Sequence, residues 1–164
     1  MTDSAVRPQQ LRPDQWTDAD DPGLMARLVG LQVVAGQQLE DITAGHGIAL
    51  GDYLVLAVIR RSTDGACAPS TICKVLRRTS GGMTLTLDRL VSAGWITRAP
   101  DPHDRRRVLL RLTSPGLQLA VVVNESLHEW EHALVGRRQL DEIVGVLDEL
   151  LSLLEPVEQT TTSR

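Results

Sequence analysis

A chain of 164 residues, 42% of them apolar, can build one compact core but is short for two independent ones. Its aromatics are Trp16, Tyr53, Trp95 and Trp130, so Leu, Val, Ile and Ala must fill that core, which suits packed amphipathic helices better than a β-sandwich. Cys67 and Cys73 are too few for a disulfide scaffold, no apolar run approaches the ~18 residues of a membrane span, and the polar, acidic stretch from Met1 to Asp21 is no signal peptide. A cytoplasmic protein with no membrane partner is expected.

The net charge of −4 hides an asymmetry. Residues 1–73 carry five Lys/Arg against nine Asp/Glu, residues 74–111 nine against three, and residues 112–164 three against nine. A basic middle between acidic ends points one short segment at a polyanion and gives the flanks another task. Taken alone, such a cluster is as readily a solvated face.

Residues 1–20, with Pro8 and Pro13, read as an arm that Trp16 alone could pin. Asp21-Pro22 supplies an N-cap and a first-turn proline to a helix with Leu24, Leu28, Leu31, Leu39 and Ile42 near helical spacing, stopped by Gly45-His46-Gly47. Asp52 to Arg61 is a second helix, ended by the turn Ser62-Thr63-Asp64-Gly65. Ser70 to Arg78 makes a third, and Thr79-Ser80 caps a fourth that reaches about Ala93, closed by Gly94. The period then changes: Trp95 to Arg98 is a strand, Ala99 to Arg106 a polar turn, and Val108 to Thr113 the returning strand. Ser114-Pro115-Gly116 opens a long helix with Leu117, Ala120, Val121, Leu127 and Leu134 on one face. A last helix carries Leu140, Ile143, Val144, Leu147, Leu150, Leu151 and Leu154, a stripe too apolar for a helix alone on a small surface. With the first and long helices it is expected to pack against a second copy of the chain, the other reading being an intramolecular bundle core.

Helix, helix, helix and then a hairpin with a basic tip is the order of a winged helix, its helix-turn-helix formed by the third and fourth helices. The expected fold is mainly α with a small β-hairpin wing. An arm covers 1–20, a helical dimerisation region 21–48 and 113–164, and a winged helix-turn-helix lobe 49–112.

The segments Ser80-Gly81-Gly82-Met83-Thr84, Leu87-Asp88-Arg89-Leu90 and Gly94-Trp95-Ile96 look like a recognition helix and its exit. Asp101-Pro102-His103-Asp104-Arg105-Arg106-Arg107-Val108-Leu109, followed by Leu112-Thr113-Ser114-Pro115-Gly116, looks like a wing and the start of a long helix. From about Trp16 to Leu154 the chain thereby resembles the MarR family of transcription regulators. The resemblance implies a homodimer on double-stranded DNA, with recognition helices in successive major grooves about 34–36 Å apart on a roughly palindromic operator. It implies a repressor released when a ligand shifts the population of dimer shapes, and no cofactor.

Ser80 and Thr84 stand at the start of the recognition helix, where hydroxyls, backbone N–H groups and the helix dipole suit phosphate, and Gly81-Gly82 lets the backbone approach closely. Arg105 and Arg106 at the wing tip suit a narrow minor groove, with Asp104 placed to hold one guanidinium and His103 and Arg107 beside them. Lys74, Arg77, Arg78 and Arg89 are expected near phosphates, Arg89 alternatively tying its helix to the wing. Where this branch of the family has Thr-Asn-Arg, Thr84-Leu85-Thr86 stands, so Leu85 and Thr86 offer apolar contact to thymine methyls and one hydroxyl.

Gln15-Trp16 and the acidic-Pro segment after it resemble the urate-responsive branch. That branch implies a ligand held by a tryptophan, an aspartate and two arginines. Trp16 and Arg98 match, while Leu54 and Thr86 occupy the other two positions. Trp16, Tyr53 and Arg98 are therefore expected to take a flat, anionic aromatic effector, against a reading of Trp16 as a staple and Arg98 as a surface cation. Cys67 and Cys73 read as small packing residues near the third helix rather than as a redox sensor.

His128-Glu129-Trp130-Glu131-His132 matches H-E-x-x-H, two histidines one helical turn apart with a water-activating glutamate between. The charge of Glu131 and the absence of a later histidine, with only Glu155 to complete a ligand set, favour a solvated face with Trp130 inward. Neither catalysis nor a bound metal is expected. A DNA-binding protein without an effector, and a zinc hydrolase, are the competing readings.

Overall fold

The computed structural model describes residues 23–154 apart from residue 105. Within that range the chain forms α1 Leu24–Gly45, α2 Leu50–Arg61, β1 Ala66–Cys67, α3 Pro69–Val75, α4 Ser80–Ser92, β2 Ile96–Pro100, β3 Val108–Leu112, α5 Ser114–Leu134 and α6 Arg137–Leu154. The mainly helical fold with a small wing is thus present. The Asp21-Pro22 cap and the arm with Trp16 lie outside the described residues. No single described helix is long and apolar enough to cross a membrane.

The sheet holds one strand more than the hairpin expected. Its order is β1-β3-β2, all antiparallel. In the hairpin Ile96 faces Leu112 and Pro100 faces Val108, while β1 adds Ala66 opposite Arg111 and Cys67 opposite Leu110. A two-residue strand has no period to read, and Ala66-Cys67 reaches the sheet only because the tight turn Thr63–Gly65 redirects the chain. That turn holds Asp64 at φ 60° and Gly65 at φ 59°, and the Arg111 guanidinium donates to the Asp64 carbonyl at 3.1 Å.

By its contacts the described chain divides into a compact unit ending at Ala120 and a second beginning at Val121. In the first, α2 is central and touches α1, α3, β1 and β3. Its near-continuous apolar run follows from that position: Val55, Leu56 and Ile59 are fully buried, with Ile72 of α3, Leu90 of α4, Ile96 of β2 and Leu110 of β3. Burying a side chain of this size stabilises by about 1.5–3 kcal/mol, so this cluster is the principal support of the lobe.

The Leu-Thr-x-x-Gly segment after the wing has a specific mechanical role. Thr113 is the N-cap of α5: its hydroxyl accepts the Gly116 N–H at 3.1 Å and donates to the Gly94 carbonyl at 2.7 Å, while its own N–H donates to the Trp95 carbonyl at 3.0 Å. One turn on, α5 passes so close to Trp95 that a Cβ on Gly116 would sit 1.9 Å from the Trp95 carbonyl oxygen. Only glycine fits.

Apolar side chains are exposed on α5 at Leu117, Val122 and Leu134, and in greater number on α1 and α6. On α1 these are Leu24, Met25, Val29, Leu31, Val33 and Val34; on α6, in the second unit, they include Ile143, Val144, Leu147, Leu151 and Leu154.

Gly116→Ala is expected to lower unfolding free energy by about 2 kcal/mol or more, because the clash is with backbone that cannot rotate away. Urea unfolding checks this. Gly145→Ala, where a Cβ meets nothing within 4 Å, should instead be neutral or slightly stabilising.

Candidate nucleic-acid interface

The helix-turn-helix is α3, a four-residue turn, and α4. Its turn is a complete Schellman closure: Arg78 N–H bonds to the Cys73 carbonyl at 3.0 Å and Arg77 N–H to the Lys74 carbonyl at 3.3 Å. The residue in the left-handed position is Arg77, at φ 49°, where glycine would be the ordinary choice. Arg77 and Arg78 are both exposed. The Arg78 guanidinium lies over the start of α2, 3.4 Å from where a Cβ on Gly51 would stand.

Along α4, Met83, Thr86, Leu87 and Leu90 are buried, while Ser80, Gly81, Gly82, Thr84, Leu85, Asp88 and Arg89 are exposed. Leu85, at 71% exposure, is an apolar side chain on a polar face. The Thr84 hydroxyl donates to the Ser80 carbonyl at 3.0 Å, which leaves its lone pairs outward. Thr86 departs from expectation: it is on the core face, and its hydroxyl donates to the Gly82 carbonyl at 3.4 Å, because positions 83, 86, 87 and 90 form the helix's buried stripe. A Cβ on Gly81 would meet nothing within 4 Å, and one on Gly82 only the Thr79 hydroxyl at 3.7 Å. Neither glycine is required by the chain's own packing.

Two arginines expected to face a ligand are engaged in bracing instead. Arg89 forms a two-point pair with Asp52 of α2, at 2.9 and 2.5 Å, tying α4 to α2 rather than to the wing. The Asp52 side chain is 6% exposed and Arg89's 58%, so the carboxylate is the buried partner. Its hydrogen bond and its charge raise the Arg89 pKa above the ordinary arginine value. Arg98 of β2 pairs with Asp88 of α4 at 2.6 Å, both sides solvent-exposed; this pair, and not Arg89, links the recognition helix to the wing. Tyr53, expected to line a ligand pocket, is 4% exposed in the core of α2. Trp16 is outside the described residues.

At the wing tip the aspartates hold backbone. Asp101 accepts the His103 N–H at 2.8 Å, and Asp104, expected to hold a guanidinium, accepts the Arg106 N–H at 3.0 Å. The chain closes beneath them through Asp101 N–H to the Arg107 carbonyl at 2.9 Å and Arg107 N–H to the Asp104 carbonyl at 2.8 Å. His103, Arg106 and Arg107 are exposed. Arg105 is outside the described residues.

The other motifs find no metal geometry. On α5 the His128 ring nitrogen Nδ1 is 3.1 Å from the Asn124 amide, and Nε2 is 4.0 Å from Glu131. Among the described residues no group of three His, Cys, Asp or Glu is placed to hold an ion. Cys67 is buried in β1 and Cys73 half-buried in α3.

A sequence profile of the MarR family matches residues 46–107. The multiple antibiotic resistance protein MarR of Escherichia coli K12 is 33% identical over 117 residues, 71% of this chain and 75% of that protein. The chain belongs to the MarR family. It is a DNA-binding transcriptional regulator, as its relatives are, and not an enzyme. The crystal structure of a mutant E. coli MarR superimposes with a TM-score of 0.63 at 28% identity, covering 80% of this chain and 99% of that one. The transcriptional repressor CouR, solved on a 23-mer DNA duplex, shares the fold at a TM-score of 0.68 and 20% identity, over 79% of this chain and 92% of that one.

Within this MarR-family lobe, sequence reading missed Asp52. Its signal is an acid in the first turn of an otherwise apolar helix, a place where the helix dipole favours a carboxylate but where burial demands a cation.

The Asp52–Arg89 brace is tested by a double-mutant cycle. Asp52→Asn and Arg89→Ala should each lower the thermal midpoint, and the double mutant should lose less than the two added together. Gly81→Ala should raise stability by up to about 1 kcal/mol through helix propensity while weakening DNA binding, a split visible by comparing unfolding with duplex titration.

Proposed function

We propose that this regulator binds a pseudo-palindromic operator as a homodimer and represses from it. The observation that carries the reading is the uncovered start of α4: Ser80, open backbone at Gly81-Gly82, Thr84 and Leu85 form an exposed surface that the lobe's own packing does not need, just after the exposed Arg77 of the turn. Helix N-termini with free N–H groups suit phosphates, and Leu85 suits a thymine methyl in the major groove. Dimerisation is supported by the apolar faces of α1 and α6, which are more extensive than a monomer ordinarily leaves wet. The solved CouR–DNA complex is of the same fold.

Release by a flat, anionic aromatic molecule, with the urate-responsive branch as its finer form, rests on Trp16 and Arg98. Arg98 would exchange the Asp88 carboxylate for the ligand's anion, one exposed ion pair for another, at small cost. Tyr53 takes part only from within the core.

Selection of bound sequences from random duplex DNA at fixed salt tests the operator reading. One two-fold symmetric site is expected, bound about 10- to 100-fold more weakly by Arg105→Ala/Arg106→Ala. No enriched site would remove the proposal. Adding a panel of aromatic acids to the operator complex tests release, and an Arg98→Ala protein should lose whatever response the wild type shows.

A further inference from the structure

Beside the wing lies a cleft of about 420 Å³ to which no role has been given, lined by Arg61, Ser62, Thr63, Thr71, Asp101 and Arg107 among others. Its walls come from the end of α2 and the turn after it, from β1 and the first turn of α3, and from the outer end of the wing, where Asp101 and Arg107 close the tip loop. Arg61 and Arg107 are both exposed, and among the described residues neither guanidinium has a hydrogen-bond or ion-pair partner. The one carboxylate among these lining residues, Asp101, already holds the His103 N–H, and the Ser62 hydroxyl donates to the Val58 carbonyl at 2.8 Å. Two cations with one occupied acid make the cleft a seat for an anion, with the Thr63 and Thr71 hydroxyls at its rim.

Its place selects the kind of anion. A recognition helix enters a major groove and a wing the adjacent minor groove, so the sugar-phosphate strand that divides the two grooves passes between the helix-turn-helix and the wing. The cleft lies between the first helix of that motif and the outer, tip end of the wing. It is open and shallow, suited to a strand running through rather than a small molecule enclosed. Resting on the DNA-binding reading above, we propose that Arg61 and Arg107 clamp a backbone phosphate of the operator. Arg61, at the end of a core helix well before the basic segment, thereby becomes a positioning residue for DNA.

The test uses the full chain and the operator recovered by selection. Arg61→Ala should keep its thermal midpoint, bind about tenfold more weakly at fixed salt, and reduce the slope of log K against log salt by about 2, one phosphate for each half-site. The preferred sequence should not change, because phosphate contacts position without reading. Duplexes with one neutral methylphosphonate at successive positions should show one position per half-site that weakens the wild type and leaves Arg61→Ala indifferent. Equal affinity and slope in a folded Arg61→Ala protein overturns the proposal. So does a pattern in which inorganic phosphate raises the melting temperature of the wild type but not of Arg61→Ala while DNA binding is the same, since the cleft then holds a free anion. Failure of the wild type to bind any duplex would be seen before the variant is made, and would remove the DNA-binding reading along with this one.

Discussion

The closeness of α5 to the Trp95 carbonyl governs where the wing can be. Gly94, at φ 73°, ends α4, Trp95 starts the descent into β2, and the returning strand must meet Trp95 again before α5 can begin. Thr113 makes that meeting with its N–H and its hydroxyl, and Gly116 permits it by having no side chain. The start and end of the wing are therefore pinned to one carbonyl, and the hairpin has a fixed root with only its tip left free. A wing rooted in this way can place Arg106 and Arg107 reproducibly relative to α4, which a hairpin hung on flexible connections could not.

Around that root, charge is divided between bracing and display. Asp52–Arg89 joins α4 to the central helix and Asp88–Arg98 joins α4 to β2, so the recognition helix is tied on two sides. The first brace has a buried carboxylate and two-point geometry, which fixes orientation as well as distance. Because Asp52 raises the Arg89 pKa, the contribution of Arg89's proton is present at every pH below arginine's own range and is lost only as pH rises through that raised value. The second brace is exposed and weak, suited to being exchanged. Arg61, Lys74, Arg77, Arg78, Arg106 and Arg107 are exposed, and these are the charges that the proposed function assigns to an external polyanion.

Most elements of the lobe were legible because helices and the hairpin announce themselves by period and by their turn residues, and the Leu-Thr-x-x-Gly block by its spacing. What escaped has a common physical cause: it depends on partners distant in sequence. Asp52 and Arg89 are 37 residues apart, and β1 exists only as an edge to β3. Thr86 reads as a base contact by its place in the Thr84-Leu85-Thr86 segment that matches the family's Thr-Asn-Arg, yet a helix turns 100° per residue, and the single step from Leu85 carries it into the core. Arg98 is assigned by resemblance and Tyr53 as an aromatic suited to stacking, and neither position nor residue type tells whether a guanidinium is already paired or a phenol already enclosed.

The helix-turn-helix makes two choices that oppose local stability within six residues of each other. Arg77 sits in the left-handed conformation, at a cost of about 1–2 kcal/mol relative to the ordinary backbone, where glycine would sit freely. Gly81 and Gly82 sit in a helix, each costing up to about 1 kcal/mol relative to alanine, although a methyl group would fit at both. Exchanging the residue types between these places would suit the isolated lobe better. Backbone strain that internal packing does not require directs attention to what lies outside the chain. The side chain added at 77 is a cation and the side chains omitted at 81 and 82 clear the approach to free N–H groups, so both departures favour one kind of neighbour, a closely approaching phosphate backbone.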